Sequence, residues 1–160
     1  MREWGEIDSE EDQRRANLWQ GAVKSAIRSK RGQTALREIH DILHCMFAVG
    51  NDRLIAGRLC DGEGQVCTLG ALALHRMTPD DLEKSRKFWS EMSDEDAACH
   101  SYVMTETIEE GLRMGLSSAL ASTIAERNDW YGPGEVSTAR FHRMLAWVES
   151  QIIEWKGETV

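Results

Sequence analysis

Apolar residues recur along this chain at steps of three and four over most of its length, which is the period of amphipathic helices. From about Glu10 to Ser29 the stripe is Leu18, Ala22, Val23, Ala26 and Ile27. Gly32 is expected to break the chain there. A second helix then runs to about Val49, carrying Leu36, Ile39, Leu43, Met46 and Phe47 on one side. The two helices read as an αα-hairpin. Thr78-Pro79-Asp80-Asp81 is a helix start, with Thr as cap, Pro at the first position and acids in the first turn. Ser93-Asp94-Glu95-Asp96 repeats that logic. Ser117 is expected to cap a helix lined by Leu116, Leu120 and Ile124 and ending near Arg127. Ser137 or Thr138 should cap the last one, whose stripe is Phe141, Leu145, Val148, Ile152 and Trp155.

The period changes once, in Leu54–Met77. Apolar residues at 54, 55, 59 and 60 precede Asp61-Gly62-Glu63-Gly64, and Gln65-Val66-Cys67 follows. Asp-Gly between apolar runs predicts a β-hairpin. Thr68 is expected to cap a small-residue helix, Leu69–Met77, apolar on most sides and therefore central. The expected fold is mainly α, with about six to seven helices packed around one small two-stranded β-hairpin. A polar lead over 1–9 precedes a single globular domain over 10–160.

Charge narrows the function classes. The net charge is −8 and the pI near 5.1, which argues against direct nucleic-acid binding. Lys24, Arg28, Lys30, Arg31 and Arg37 cluster, but no aromatics interleave, so they read as a solvated face. Residues 78–110 hold ten acids against three bases, a local charge of −7. That segment, with Asp94, Glu95, Asp96, Glu109 and Glu110, is a candidate surface for a protein partner with a basic face. Trp130 and Tyr131 lie in the loop-forming stretch Asn128–Gly134 and are candidate anchors. No apolar run is long enough to span a membrane, and the polar start lacks a signal-peptide pattern. Cysteines at 45, 60, 67 and 99 lack the spacing of a disulfide framework, so a reduced, cytoplasmic protein is expected.

Chemistry is sparse. Cys67 sits at a helix start, where the helix dipole favours a thiolate, and is the weak candidate for a catalytic nucleophile. No later strand carries a histidine partner for it, and burial as an inert core thiol is the competing reading. His40-x-x-x-His44 puts two imidazoles on one helix face, and Cys60 and Cys67 would complete a Cys2His2 zinc set. The cysteines lack knuckle spacing, so this too is a weak candidate. No phosphate loop, dinucleotide fingerprint, nucleophile elbow or zincin motif is found, and no cofactor is expected.

Cys67-Thr68-Leu69-Gly70-Ala71 after a Gly-containing turn resembles a Cys-x-x-Gly-Ala stretch of small uncharacterised bacterial and bacteriophage proteins. In those proteins an Asn-Asp loop and a final amphipathic helix follow. Asn128-Asp129 and Thr138–Trp155 match that order, and Lys30-Arg31-Gly32-Gln33 is similar too. Residues 78–114 have no counterpart. The resemblance implies a phage or mobile-element setting and no particular activity. The expected function is that of a non-enzymatic binding protein acting by protein–protein contact, such as an inhibitor of a host defence complex or of a nucleic-acid-binding protein. A Cys67-dependent enzyme and a small zinc-stabilised module are the alternatives, and a homodimer is compatible with the binding reading.

Overall fold

The computed structural model describes residues 10–57, 59–61, 63–76, 78, 80, 83, 115–132 and 134–153. Five helices are found among them: α1 Glu10–Arg28, α2 Lys30–Ala48, α3 Thr68–Arg76, α4 Ser118–Asp129 and α5 Ser137–Gln151. The core is shared by the last four. Leu36, Ile39 and Leu43 of α2 meet Leu69 and Leu72 of α3, Leu120 and Ile124 of α4, and Phe141, Met144 and Val148 of α5. Apart from residues 78, 80 and 83, the helices expected over 78–110 lie outside the described residues.

The β-hairpin is not there. Among the described residues there is no strand, only one isolated antiparallel bridge, Cys60 with Val66, and the helix count is lower than expected. Two hydrogen bonds flank that bridge: Cys67 N–H to Leu59 O at 3.0 Å, and Asp61 N–H to Gln65 O at 2.9 Å. The pairing then stops for two local reasons. The Asp61 carboxylate accepts from Glu63 N–H and Gln65 N–H, each at 2.9 Å, so the turn is organised by a side chain. On the other arm Gly57 takes φ 78° and turns the chain away, leaving Ile55 N–H to reach Val66 O out of register. Leu54–Cys67 is therefore an irregular loop, held by contacts to helices.

Gly32 is not a breaker either. It lies inside α2, and a Cβ there would run into the Ala26 carbonyl of α1. The junction between the two helices is Ser29 alone. Its Oγ donates to Ala26 O at 2.7 Å and accepts from Gly32 N–H at 3.0 Å, capping α2 while closing the end of α1. Gln33, buried beside it, donates to Ile27 O and Gln151 O and accepts from Ile153 N–H. One amide thus satisfies main-chain groups at the C-terminal ends of α1 and α5. Gly70 does for α3 what Gly32 does for α2, since a Cβ there would meet Leu59 O.

α1 departs most from its stripe. It buries no residue fully; Leu18 is 67% exposed, and only Ala26 and Ile27 pack against the core. Ser117 caps α4 as expected, by accepting from Leu120 N–H. The caps expected at Thr68 and at Ser137 or Thr138 move by a residue or more. Cys67 precedes α3 and Val136 precedes α5, the latter with no side-chain cap. No helix among the described residues is long and apolar enough to cross a membrane.

Two helical glycines with opposite surroundings test this packing. Gly21 of α1 has nothing near its would-be Cβ, so Gly21→Ala should gain up to about 1 kcal/mol of stability. Gly32→Ala should instead lose about 1–3 kcal/mol, because the backbone of α1 must move. Urea midpoints at unchanged m-value check both signs.

Candidate functional site

The chain after α4 carries two large aromatics outward. Trp130 is 57% exposed and Tyr131 65%. Arg127 lies over the Trp130 ring at 5.3 Å and Arg143 over the Tyr131 ring at 5.2 Å, both in cation–π range.

This turn stands on a polar frame. Arg140 of α5 is 3% exposed and donates to Leu54 O at 3.0 Å, Gly132 O at 2.8 Å and Glu135 O at 3.3 Å. Its Nε makes no well-directed hydrogen bond but faces Glu135 Oε1 at 3.4 Å. Arg143, one turn along, donates to Arg127 O and to Asn128 O. It also holds both oxygens of Glu135, at 2.8 and 2.7 Å, a two-pronged charge-assisted pair. Four carbonyls around the turn are therefore gripped by two guanidinium groups of one helix. Gly132 adds φ 68°, and its N–H bonds Asp129 O at 2.8 Å.

Below the turn lies Asn128, 1% exposed. Its Oδ1 accepts from both Thr68 N–H, at 3.1 Å, and Thr68 Oγ1, at 2.8 Å. Its Nδ2 donates to Ile55 O at 2.9 Å and to Asp129 Oδ1 at 2.8 Å. Asp129 in turn accepts from Gly57 N–H at 3.2–3.3 Å. The dipeptide at the end of α4 therefore ties down the Leu54–Cys67 loop and the first turn of α3 together.

Cys67 belongs to that same corner. It is buried, and its Sγ accepts from Gly70 N–H at 3.3 Å, the position a capping hydroxyl usually takes. Burial pushes the thiol up to about 12, against the opposing pull of the Gly70 N–H. Desolvation outweighs the helix dipole, and the geometry is that of a packed, capping thiol. The Cys2His2 set does not come together. His40 and His44 do face one another, but among the described residues the third group beside them is Glu149 of α5, and neither Cys60 nor Cys67 joins them. Asp94, Glu95, Asp96, Glu109 and Glu110 lie outside the described residues.

Sequence reasoning missed Arg140, Glu149, the arginine partners of Glu135 and the partners of Asn128-Asp129. Arg140 had no local signal, since it stands about 100° around the helix from Phe141, off the apolar stripe. Glu149 had none, because nothing in the spacing couples it to a pair of histidines more than a hundred residues earlier. Comparison with protein-family models, curated proteins and solved structures finds no match to this chain.

Two outcomes follow from the frame. Asn128→Ala leaves two buried Thr68 donors and the part-buried Ile55 carbonyl without this partner and should cost roughly 3 kcal/mol in a denaturant titration. Glu135 is held below its ordinary value of 4.5, first by the Arg143 hydrogen bond, against desolvation. Its contribution is present above that ordinary value and is lost as pH falls through the lowered one. Glu135→Gln should therefore flatten the loss of stability on acidification below pH 4.5, measured by thermal melts across that range.

Proposed function

We propose that this chain is a non-enzymatic binding protein that works by protein–protein contact, with the Trp130–Tyr131 turn as its anchor. The observation that carries the reading is the pairing of two exposed aromatics with a buried, hydrogen-bonded support. Large aromatics on a preset backbone lose little conformational freedom on binding, which is why they dominate contact energies.

Charge supplies the second half of the proposal. Beside the two rings stand Arg127 and Arg143, the latter taken up by Glu135, while Asp129 is engaged by Gly57 N–H and Asn128. Selection of the partner is therefore assigned to the acidic run over 78–110, which, with a net charge of −8, favours a basic surface. A host defence complex or a nucleic-acid-binding protein offers such a surface, and occupying it would inhibit it. The bacteriophage setting rests on the resemblance of the Cys67–Ala71 and Asn128-Asp129 stretches. Residence in the cytoplasm is part of the same proposal and rests on the cysteine spacing.

Recovery of partners from a bacterial lysate tests it. Trp130→Ala and Tyr131→Ala should each lower recovery of one specific protein about tenfold or more, with thermal stability near that of the parent chain. Charge reversal at Asp94, Glu95 and Asp96 should weaken the same interaction and steepen its loss with salt. Undiminished recovery in the aromatic variants would sink the anchor. Sedimentation of the purified chain separates a heterologous partner from a homodimer.

A further inference from the structure

We infer that His40, His44 and Glu149 form a binding site for a divalent transition-metal ion of the zinc class, bridging α2 and α5. The inference is independent of the aromatic turn.

Each of the three residues directly follows a fully buried anchor. His40 follows Ile39, His44 follows Leu43, and Glu149 follows Val148. The packed seam between α2 and α5 therefore sets the three Cα positions, and the side chains reach outward from it. The two histidines are one turn apart on one face of α2. The ring centroids are 4.4 Å apart.

The three ligating atoms converge. His40 Nε2 lies 3.1 Å from His44 Nε2 and 3.2 Å from Glu149 Oε1, and His44 Nε2 lies 3.5 Å from the same oxygen. A tetrahedral ion with bonds of about 2.0–2.1 Å holds its ligands about 3.3 Å apart. The observed triangle has that size on all three edges.

Protons do not account for it as well. An imidazole Nε2 has one in-plane site, filled by either a proton or a lone pair. Any placement of protons gives hydrogen bonds to at most two of the three close pairs. Two N–H groups shared by the carboxylate oxygen leave two donors 3.1 Å apart. One cation at the centre satisfies all three atoms at once.

The surroundings suit a cation. Asp41 Oδ1 is 3.6 Å from His40 Nδ1, on the far side of the ring from the triangle. His44 and Glu149 are each about half exposed, so water or a further ligand has access to the remaining coordination position. Two nitrogens and one carboxylate oxygen, with an open position, is a donor set that zinc accepts.

The test is titration of the metal-stripped, full-length protein with zinc chloride at neutral pH, followed by calorimetry and by thermal melts. One equivalent should bind and raise the melting temperature. His44→Ala and Glu149→Gln should each weaken binding about tenfold or more. His142→Ala, whose imidazole pairs with Asp52 elsewhere, should leave it unchanged. Cobalt substitution should give a tetrahedral visible spectrum without a thiolate charge-transfer band. Absence of binding at sub-millimolar zinc overturns the inference, as does binding undiminished by His44→Ala and Glu149→Gln. A thiolate band that disappears in Cys60→Ser or Cys67→Ser would likewise overturn it in favour of a sulfur site. Both key variants change half-exposed side chains, and unchanged melts of the metal-stripped proteins verify that each is folded.

Discussion

One buried amide carries the architecture. Asn128 meets a side-chain hydroxyl, a backbone N–H and a backbone carbonyl that come from two distant parts of the chain. A polar group in a core is costly unless its partners are all present. The loop after α2, the start of α3 and the end of α4 therefore have to arrive together. That requirement replaces the strand pairing the loop lacks. The two stretches that carried the sequence resemblance, Cys67–Ala71 and Asn128-Asp129, meet at this point.

The same corner explains why Cys67 and Trp130–Tyr131 take such different roles. The first-turn donors of α3 are consumed inside the fold, by Cys67 Sγ and Asn128 Oδ1, which leaves the thiol buried and hard to ionise. One residue beyond Asp129 the chain emerges. Arg140 and Arg143 then hold its carbonyls from α5, so the aromatics are exposed on a backbone that is not loose. Rigidity on the inside and exposure on the outside come from consecutive residues.

The seam of α2 and α5 works in a related way. Ile39, Leu43 and Val148 are interior, and their next neighbours in sequence, His40, His44 and Glu149, are brought to one point at the rim. Gln33 closes the end of that seam where α2 begins and α5 stops, by satisfying Gln151 and Ile153 main-chain groups. Glu38 and Arg76 tie α3 to α2, and the pair holds the Glu38 carboxyl below its usual range. Core contacts place the helices, and polar contacts between them and at their ends add to the packing.

Local sequence determined the helical period, the extents of α1, α2 and α4 to within a few residues, the Ser117 cap and much of the core, because these depend on neighbours three or four positions away. Leu36, Ile39, Leu43, Leu120, Ile124, Phe141 and Val148 were legible as interior for that reason. Asp-Gly predicted a hairpin because a turn is local too, but a ladder needs two arms. Gly57 and the pull of Asn128 and Asp129 took one arm away. Gly32 looked like a break, since the sequence does not reveal that the α1 backbone passes where its Cβ would be. The tertiary structure alone decided that Leu18 faces outward, that Arg140 is buried, and that Glu149 rather than a cysteine stands beside the two histidines. Each of those outcomes depends on groups far apart in the chain, and spacing along a sequence holds no information about which distant surfaces meet.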